Sequence, residues 1–363
     1  MDEFETKQER IRRLLRERDL AGLHLRRASS FAWATCGATS QVNWASSYGE
    51  ASLLVTARGR YLISNNIEAP RLKDEEGLEA QGWEMRITPW HESRNALQEL
   101  LPPGPFGSDD PEAGARDVSA DVSLLRAELT PEEGQRFREL GRLCAQAISA
   151  AARAVRPGQS EREIAAALSG ECERRGIQAI VNLVASDERV YRFRHPLPSA
   201  KILGQYAMLV LCGRKWGLVC SVTRLVHFGK LPGELAQKQE ATARVDARLI
   251  QATRPARALG EVFGQGVAAY REVGFPDEWR RHHQGGPAGY EPREWLARPD
   301  SPEIIRSGQA FAWNPSIEGT KMEDTILVGP GEAEILTATP GWPTIEVRLD
   351  GHAIQRPAIL EMT

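Results

Sequence analysis

The stretch VRPGQSEREIAAALSGECERRGI, residues 155–177, is echoed 98 residues later by TRPARALGEVFGQGVAAYREVGF, residues 253–275. Val155-Arg156-Pro157 matches Thr253-Arg254-Pro255, Glu163-Ile164 matches Glu261-Val262, and Gly176-Ile177 matches Gly274-Phe275, all at that one offset. A constant offset across three landmarks marks a duplicated unit, here two helices leading into a strand. The helices are legible locally. Thr130, Pro131 and Glu133 supply an N-cap, a first-turn proline and a capping box, and Phe137, Leu140, Cys144, Ala147, Ala151 and Val155 then recur at three- and four-residue spacing. Pro157-Gly158 ends that helix. Ser160 with Glu163 makes a second capping box, Ile164, Leu168 and Cys172 form the next apolar stripe, and Gly176 closes it. Two such units about a pseudo-twofold axis set one sheet from each half around a shared central cleft.

Ahead of the repeat, roughly the first 125 residues read as an α/β unit. An amphipathic helix is expected over 6–18, with Ile11, Leu14 and Leu15 on one face, and strands over 21–25, 31–33, 51–55 and 60–63. The run 101–115 is rich in Pro, Gly and Asp and predicts a linker or surface loop. The expected fold class is therefore α+β in two domains, 1–125 and 126–363.

The 363 residues, 41 % hydrophobic and 26 % charged, suit two ordinary soluble domains. A net charge of −3 gives no basic field, so neither nucleic acid nor an anionic membrane is an expected partner. No stretch reaches the ~18 apolar residues of a membrane span, and residues 1–19 lack the apolar centre of a signal peptide, which predicts a cytoplasmic protein. Cys36, Cys144, Cys172, Cys212 and Cys220 form no CxxC pair and read as small buried residues in a reducing compartment. Cys220 alone falls among the motifs described next.

Those motifs resemble the creatinase, aminopeptidase P and prolidase family, which has the pita-bread fold, and the resemblance spans nearly the whole chain. His195, in Phe193-Arg194-His195-Pro196, matches the family's loop histidine near the substrate. The Asp-x-Gly strand motif appears as Leu211-Cys212-Gly213, and Ser-Asp-x-Thr-Arg as Cys220-Ser221-Val222-Thr223-Arg224. His-x-x-Gly-His-x-x-Gly appears as His282-His283-Gln284-Gly285-Gly286-Pro287-Ala288-Gly289, with Gly286 where the second histidine belongs. Glu-Pro appears as Asn314-Pro315, and Glu323-Asp324-Thr325 is intact.

The resemblance implies a small N-terminal creatinase-like α/β domain, a C-terminal pita-bread domain and a homodimer. The family holds two metal ions with two aspartates, one histidine and two glutamates. Leucine and glycine offer no donor, serine or valine replaces the second aspartate, and asparagine offers a neutral amide, so no metal and no cofactor are expected. His195 and His282, which flank the metals in the family, remain, as does Glu323. The expectation is a metal-independent, creatinase-like hydrolase of a C–N bond in a small metabolite, with His195, His282 and Glu323 catalytic. Arg194, Arg224, His283, Arg293, Trp313, Asn314 and Lys321 are the expected substrate-binding residues, and the cations among them point to an anionic substrate group. His282 and His283 are adjacent, so on a strand they face opposite ways, with His282 the one turned to the cleft. A non-catalytic peptide- or protein-binding module, and a metallo-aminopeptidase aligned differently, are the competing readings.

Overall fold

Asp2 opens the first helix, Glu3–Glu17, by accepting a hydrogen bond from the Glu5 N–H, and Ile11, Leu14 and Leu15 face inward from it. In the computed structural model, which describes residues 2–93, 96–111 and 113–363, this helix belongs to a unit of residues 1–132 with 216–218. Its six strands run in the order Glu84–Thr88, Arg60–Asn65, Tyr48–Thr56, Gly22–Arg27, Phe106–Ser108, Ala115–Asp117. Two expectations fail here. Residues 31–33 are helical, within Ala28–Ala34, because a short apolar run fits either element and the flanking alanines favour a helix. The expected linker 101–115 contains Phe106–Ser108, which pairs in parallel with Gly22–Arg27. Composition hid that strand because its centre must be small. A Cβ on Gly107 would lie 2.8 Å from Leu20 and 3.0 Å from Val118.

The larger unit, residues 133–215 with 219–363, carries the duplication. Helices Pro131–Ala154 and Glu161–Glu173 are followed by strand Gln178–Ser186, and helices Gly233–Ala252 and Leu259–Glu272 repeat the pair. The N-caps of the two second helices, Ser160 and Ala258, keep the sequence offset and each makes an isolated bridge, to Ile202 and Ile304. The second repeat departs from the first at its end. Pro276 cannot donate to a ladder, and a short helical turn, Glu278–Arg281, precedes strand Gly285–Ala288.

One sheet runs Leu360–Met362, Leu218–Phe228, Tyr206–Lys215, Gln178–Ser186, and the other Gly285–Ala288, Ala310–Trp313, Asp324–Leu327, Glu334–Ile335. They meet where the Thr223 N–H donates to the Glu323 carbonyl at 3.0 Å and the Ser221 N–H donates to the Thr325 hydroxyl at 2.9 Å. Val245, Leu249, Val262, Phe263, Phe311, Trp313 and Ile326 pack the second repeat's helices onto its sheet. Among the described residues, no helix is long and apolar enough to cross a membrane.

Behind the second sheet sits a closed set of four buried charges. Arg356 pairs with Asp246 at 2.6 Å and also with Asp324, while Arg224 reaches Asp324 at 2.9 Å and the Thr337 carbonyl at 2.8 Å. Removing one member leaves uncompensated buried charge, so Arg356→Ala is expected to cost about 3–5 kcal/mol in urea unfolding. Replacement of an exposed pair such as Arg142 and Glu139 should shift the unfolding transition far less.

Candidate active site

Lys321, Glu323 and Asp324 leave the second sheet in an extended segment, and neighbouring carboxylates turn to opposite sides. Asp324 enters the charge cluster just described. Glu323, 3 % exposed, meets Lys321 Nζ at 2.8 Å through Oε2 and accepts from the Arg293 guanidinium at 3.0 Å through Oε1. The Thr223 hydroxyl donates to Oε2 at 2.7 Å, and Arg293 also donates to Ser221 Oγ at 3.1 Å. Both carboxylate oxygens are thus held by cations of the chain itself. Burial alone would raise the Glu323 carboxyl, but Lys321 and Arg293 reverse it and bring its pKa down to about 2.

Three imidazoles gather near this triad. The ring of His195 lies 4.9 Å from that of His282 and 5.7 Å from that of His283, and the last two are 4.5 Å apart. His195 Nε2 and His282 Nε2 share a hydrogen bond at 3.1 Å. The expectation that the adjacent histidines face opposite ways fails. Residues 282–284 lie between a helical turn and a strand, outside any ladder. Gln284 holds them there, donating to the carbonyls of Trp279 and His282 and accepting from the Tyr270 hydroxyl. Burial lowers all three rings, helped by Lys321 at each and by Arg293 at His195 and His283: His282 to about 2, His283 to about 4, and His195 in the same direction. The lowering favours the uncharged form of each ring at pH 7.

Several polar atoms here have no hydrogen-bond partner among the described residues: His282 Nδ1, His283 Nδ1, Arg293 Nε and Asn314 Oδ1. Buried polar atoms are rarely left so, and a cluster of them fits a place for solvent or a ligand. Asn314 itself is 2 % exposed.

Not every expected residue joins them. Arg224 is buried and its terminal nitrogens are held by Thr223, Asp324, Thr337 and Thr339, so it belongs to the scaffold cluster rather than to the substrate site. Trp313 is a core residue, its indole donating to Thr253 Oγ1 at 2.9 Å and its ring stacked on Phe311. Arg194 is paired with Glu278 at 2.8 Å. Cys220 is fully buried, with Cys144 as a close neighbour. Sequence reasoning passed over Thr223, whose hydroxyl completes the hold on Glu323, although it stands inside the quoted Cys-Ser-Val-Thr-Arg motif.

Residues 135–330 match the family model of metallopeptidase family M24. The chain belongs to that family. The Xaa-Pro dipeptidase of Pyrococcus furiosus is 24 % identical over 233 residues, which span 61 % of this chain and 66 % of that protein, just under two thirds of its length. The prolidase of Pyrococcus horikoshii superposes with a TM-score of 0.79 at 16 % identity, over 92 % of this chain and 98 % of its own. The Xaa-Pro dipeptidase of Bacillus anthracis gives 0.78 at 17 % identity, over 99 % and 100 %. The fold is accordingly the two-domain pita-bread fold.

The family name implies metal ions, and the residues at the ligand positions do not fit a metal pair. Leu211 is a fully buried aliphatic side chain. At Gly286 any Cβ would meet the Trp295 carbonyl oxygen at 2.4 Å, so the backbone itself excludes a histidine there. Ser221 already accepts from Arg293, and both oxygens of Glu323 are taken.

The depressed Glu323 pKa has a measurable consequence. Lying below the ordinary 4.5, it adds stability at neutral pH that disappears as pH falls from about 4.5 toward 2. Acid titration of unfolding free energy should therefore be flatter over that window in Glu323→Gln, which is also less stable at pH 7.

Proposed function

We propose that this protein is a hydrolase that works without the metal pair of its family, cleaving a C–N bond in a small substrate that carries an anionic group. The carrying observation is the Lys321–Glu323–Arg293 triad, in which side-chain cations occupy the oxygens a metal ion would need. Lys321 and Arg293 exceed Glu323 by one positive charge, and the cluster behind, Arg224 and Arg356 with Asp246 and Asp324, is balanced. The surplus, with the free Arg293 Nε and Asn314 Oδ1, supports an anionic substrate group.

His195 is the proton-transfer group in this reading, since it alone of the three imidazoles is exposed. Its Nε2 is committed to His282, so Nδ1 is the nitrogen that meets the reacting atoms. Neutral His195 accepts a proton from water as the oxygen bonds to the substrate carbon. The imidazolium then returns that proton to the nitrogen as the C–N bond breaks, which balances the hydrolysis. His282, buried and neutral, fixes the ring's orientation and tautomer.

The test is a turnover screen of chelator-treated protein against ureas, amidines, N-acyl amino acids and Xaa-Pro dipeptides. A hit in the first three classes is expected, with His195→Ala slowing it by about 10²–10⁴ and little change in KM. Cleavage confined to Xaa-Pro dipeptides and dependent on added Mn²⁺ or Co²⁺ would defeat the proposal, as would an unchanged rate in His195→Ala.

A further inference from the structure

His195, His282 and His283 each present a donor nitrogen, and the three lie within 4.8 Å of one another. One edge of that triangle, Nε2 to Nε2 between His195 and His282, is 3.1 Å. Two imidazole nitrogens bound to one tetrahedral ion stand about 3.3 Å apart, so this edge is near ligand spacing without rearrangement. His283 also keeps Nδ1 buried and unpartnered, and His282 is more than nine-tenths buried. None of the three stands at a position matching the family's ligands, which fall on Leu211, Ser221, Gly286, Asn314 and Glu323.

We infer that these three imidazoles form a mononuclear site for one late first-row divalent cation, of the Zn²⁺ or Cu²⁺ class, with a fourth position open to an anion. The surrounding charge sets the selectivity. The excess of Lys321 and Arg293 over Glu323 repels any cation, and hard ions such as Mg²⁺ and Ca²⁺ gain too little from nitrogen donors to overcome it. Ions near the copper end of the affinity order gain far more from imidazole. An anionic fourth ligand, hydroxide or a carboxylate, then matches the same positive surplus. An ion at His195 and proton transfer by His195 exclude each other. That consequence rests on the hydrolytic reading, whereas the site itself does not.

Binding is measured without any turnover assay, so the two proposals fail separately. Chelator-stripped protein is titrated with Co²⁺ by visible absorption and with Zn²⁺ and Mg²⁺ by calorimetry. One Co²⁺ per chain is expected, with the strong visible bands of a tetrahedral nitrogen-rich site, displaced by Zn²⁺ and indifferent to Mg²⁺. His282→Ala and His283→Gln should each weaken Zn²⁺ binding by about tenfold or more. His352→Ala, which alters an exposed histidine beside Glu332, should not. Circular dichroism and thermal melting of the metal-free variants establish that each is folded. Unchanged Zn²⁺ affinity in folded His282→Ala and His283→Gln, loss of binding in His352→Ala, or failure of wild type to bind any of these ions overturns the site.

Discussion

Two neighbouring carboxylates, Glu323 and Asp324, are pulled to opposite sides of one extended segment by separate sets of cations, and the larger unit is organised around that division. On one side Asp324 closes a neutral cluster with Arg224, Arg356 and Asp246, all within a few per cent of full burial. On the other, Glu323 is held between Lys321 and Arg293 beside three imidazoles. The alternation is ordinary strand geometry. Its effect is that a rigid, charge-balanced layer backs a site that is left with a net positive charge. Buried ion pairs are poor contributors to stability on their own, and their better-attested value is in fixing one arrangement over others.

Seen this way, the substitutions relative to other M24 proteins are mutually consistent. Losing carboxylates at the positions of Leu211 and Ser221 while keeping Glu323 would leave a buried anion without a counter-charge. Lys321 and Arg293 supply that counter-charge from within the chain. Gly286 adds a steric condition to the electrostatic one, because the Trp295 carbonyl fills the space a ligand side chain would use.

Much of the fold was legible in the sequence because it rests on periodicity and punctuation. The capping box at Ser160 marks the first repeat, and the positive-φ glycines Gly176 and Gly274 mark the same point in both. The strand Phe106–Ser108 was hidden because close packing at Gly107 demands a residue that reads as loop. At the site, motif spacing brought His195, His282, His283, Arg293, Asn314, Lys321 and Glu323 into view together. It could not tell that Arg224 and Trp313 face away, since a motif records neighbours along the chain and not the direction of a side chain. Nor could it show both adjacent histidines turning to His195, which depends on Gln284 and the Tyr270 hydroxyl fixing an irregular segment.

The spacing of Arg356 from its partners bears on how the protein is made, since it lies 110 residues beyond Asp246 and 32 beyond Asp324. Asp246 and Asp324 emerge from the ribosome well before their common partner, so the nascent chain carries two carboxylates whose burial is unfavourable until residue 356 appears. Strand Leu360–Met362, which pairs with Leu218–Phe228, arrives later still. The helices of the first repeat can form early, but the charge cluster of the second half can close only once residue 356 has been made, so its incompleteness until then is electrostatic as well as hydrophobic.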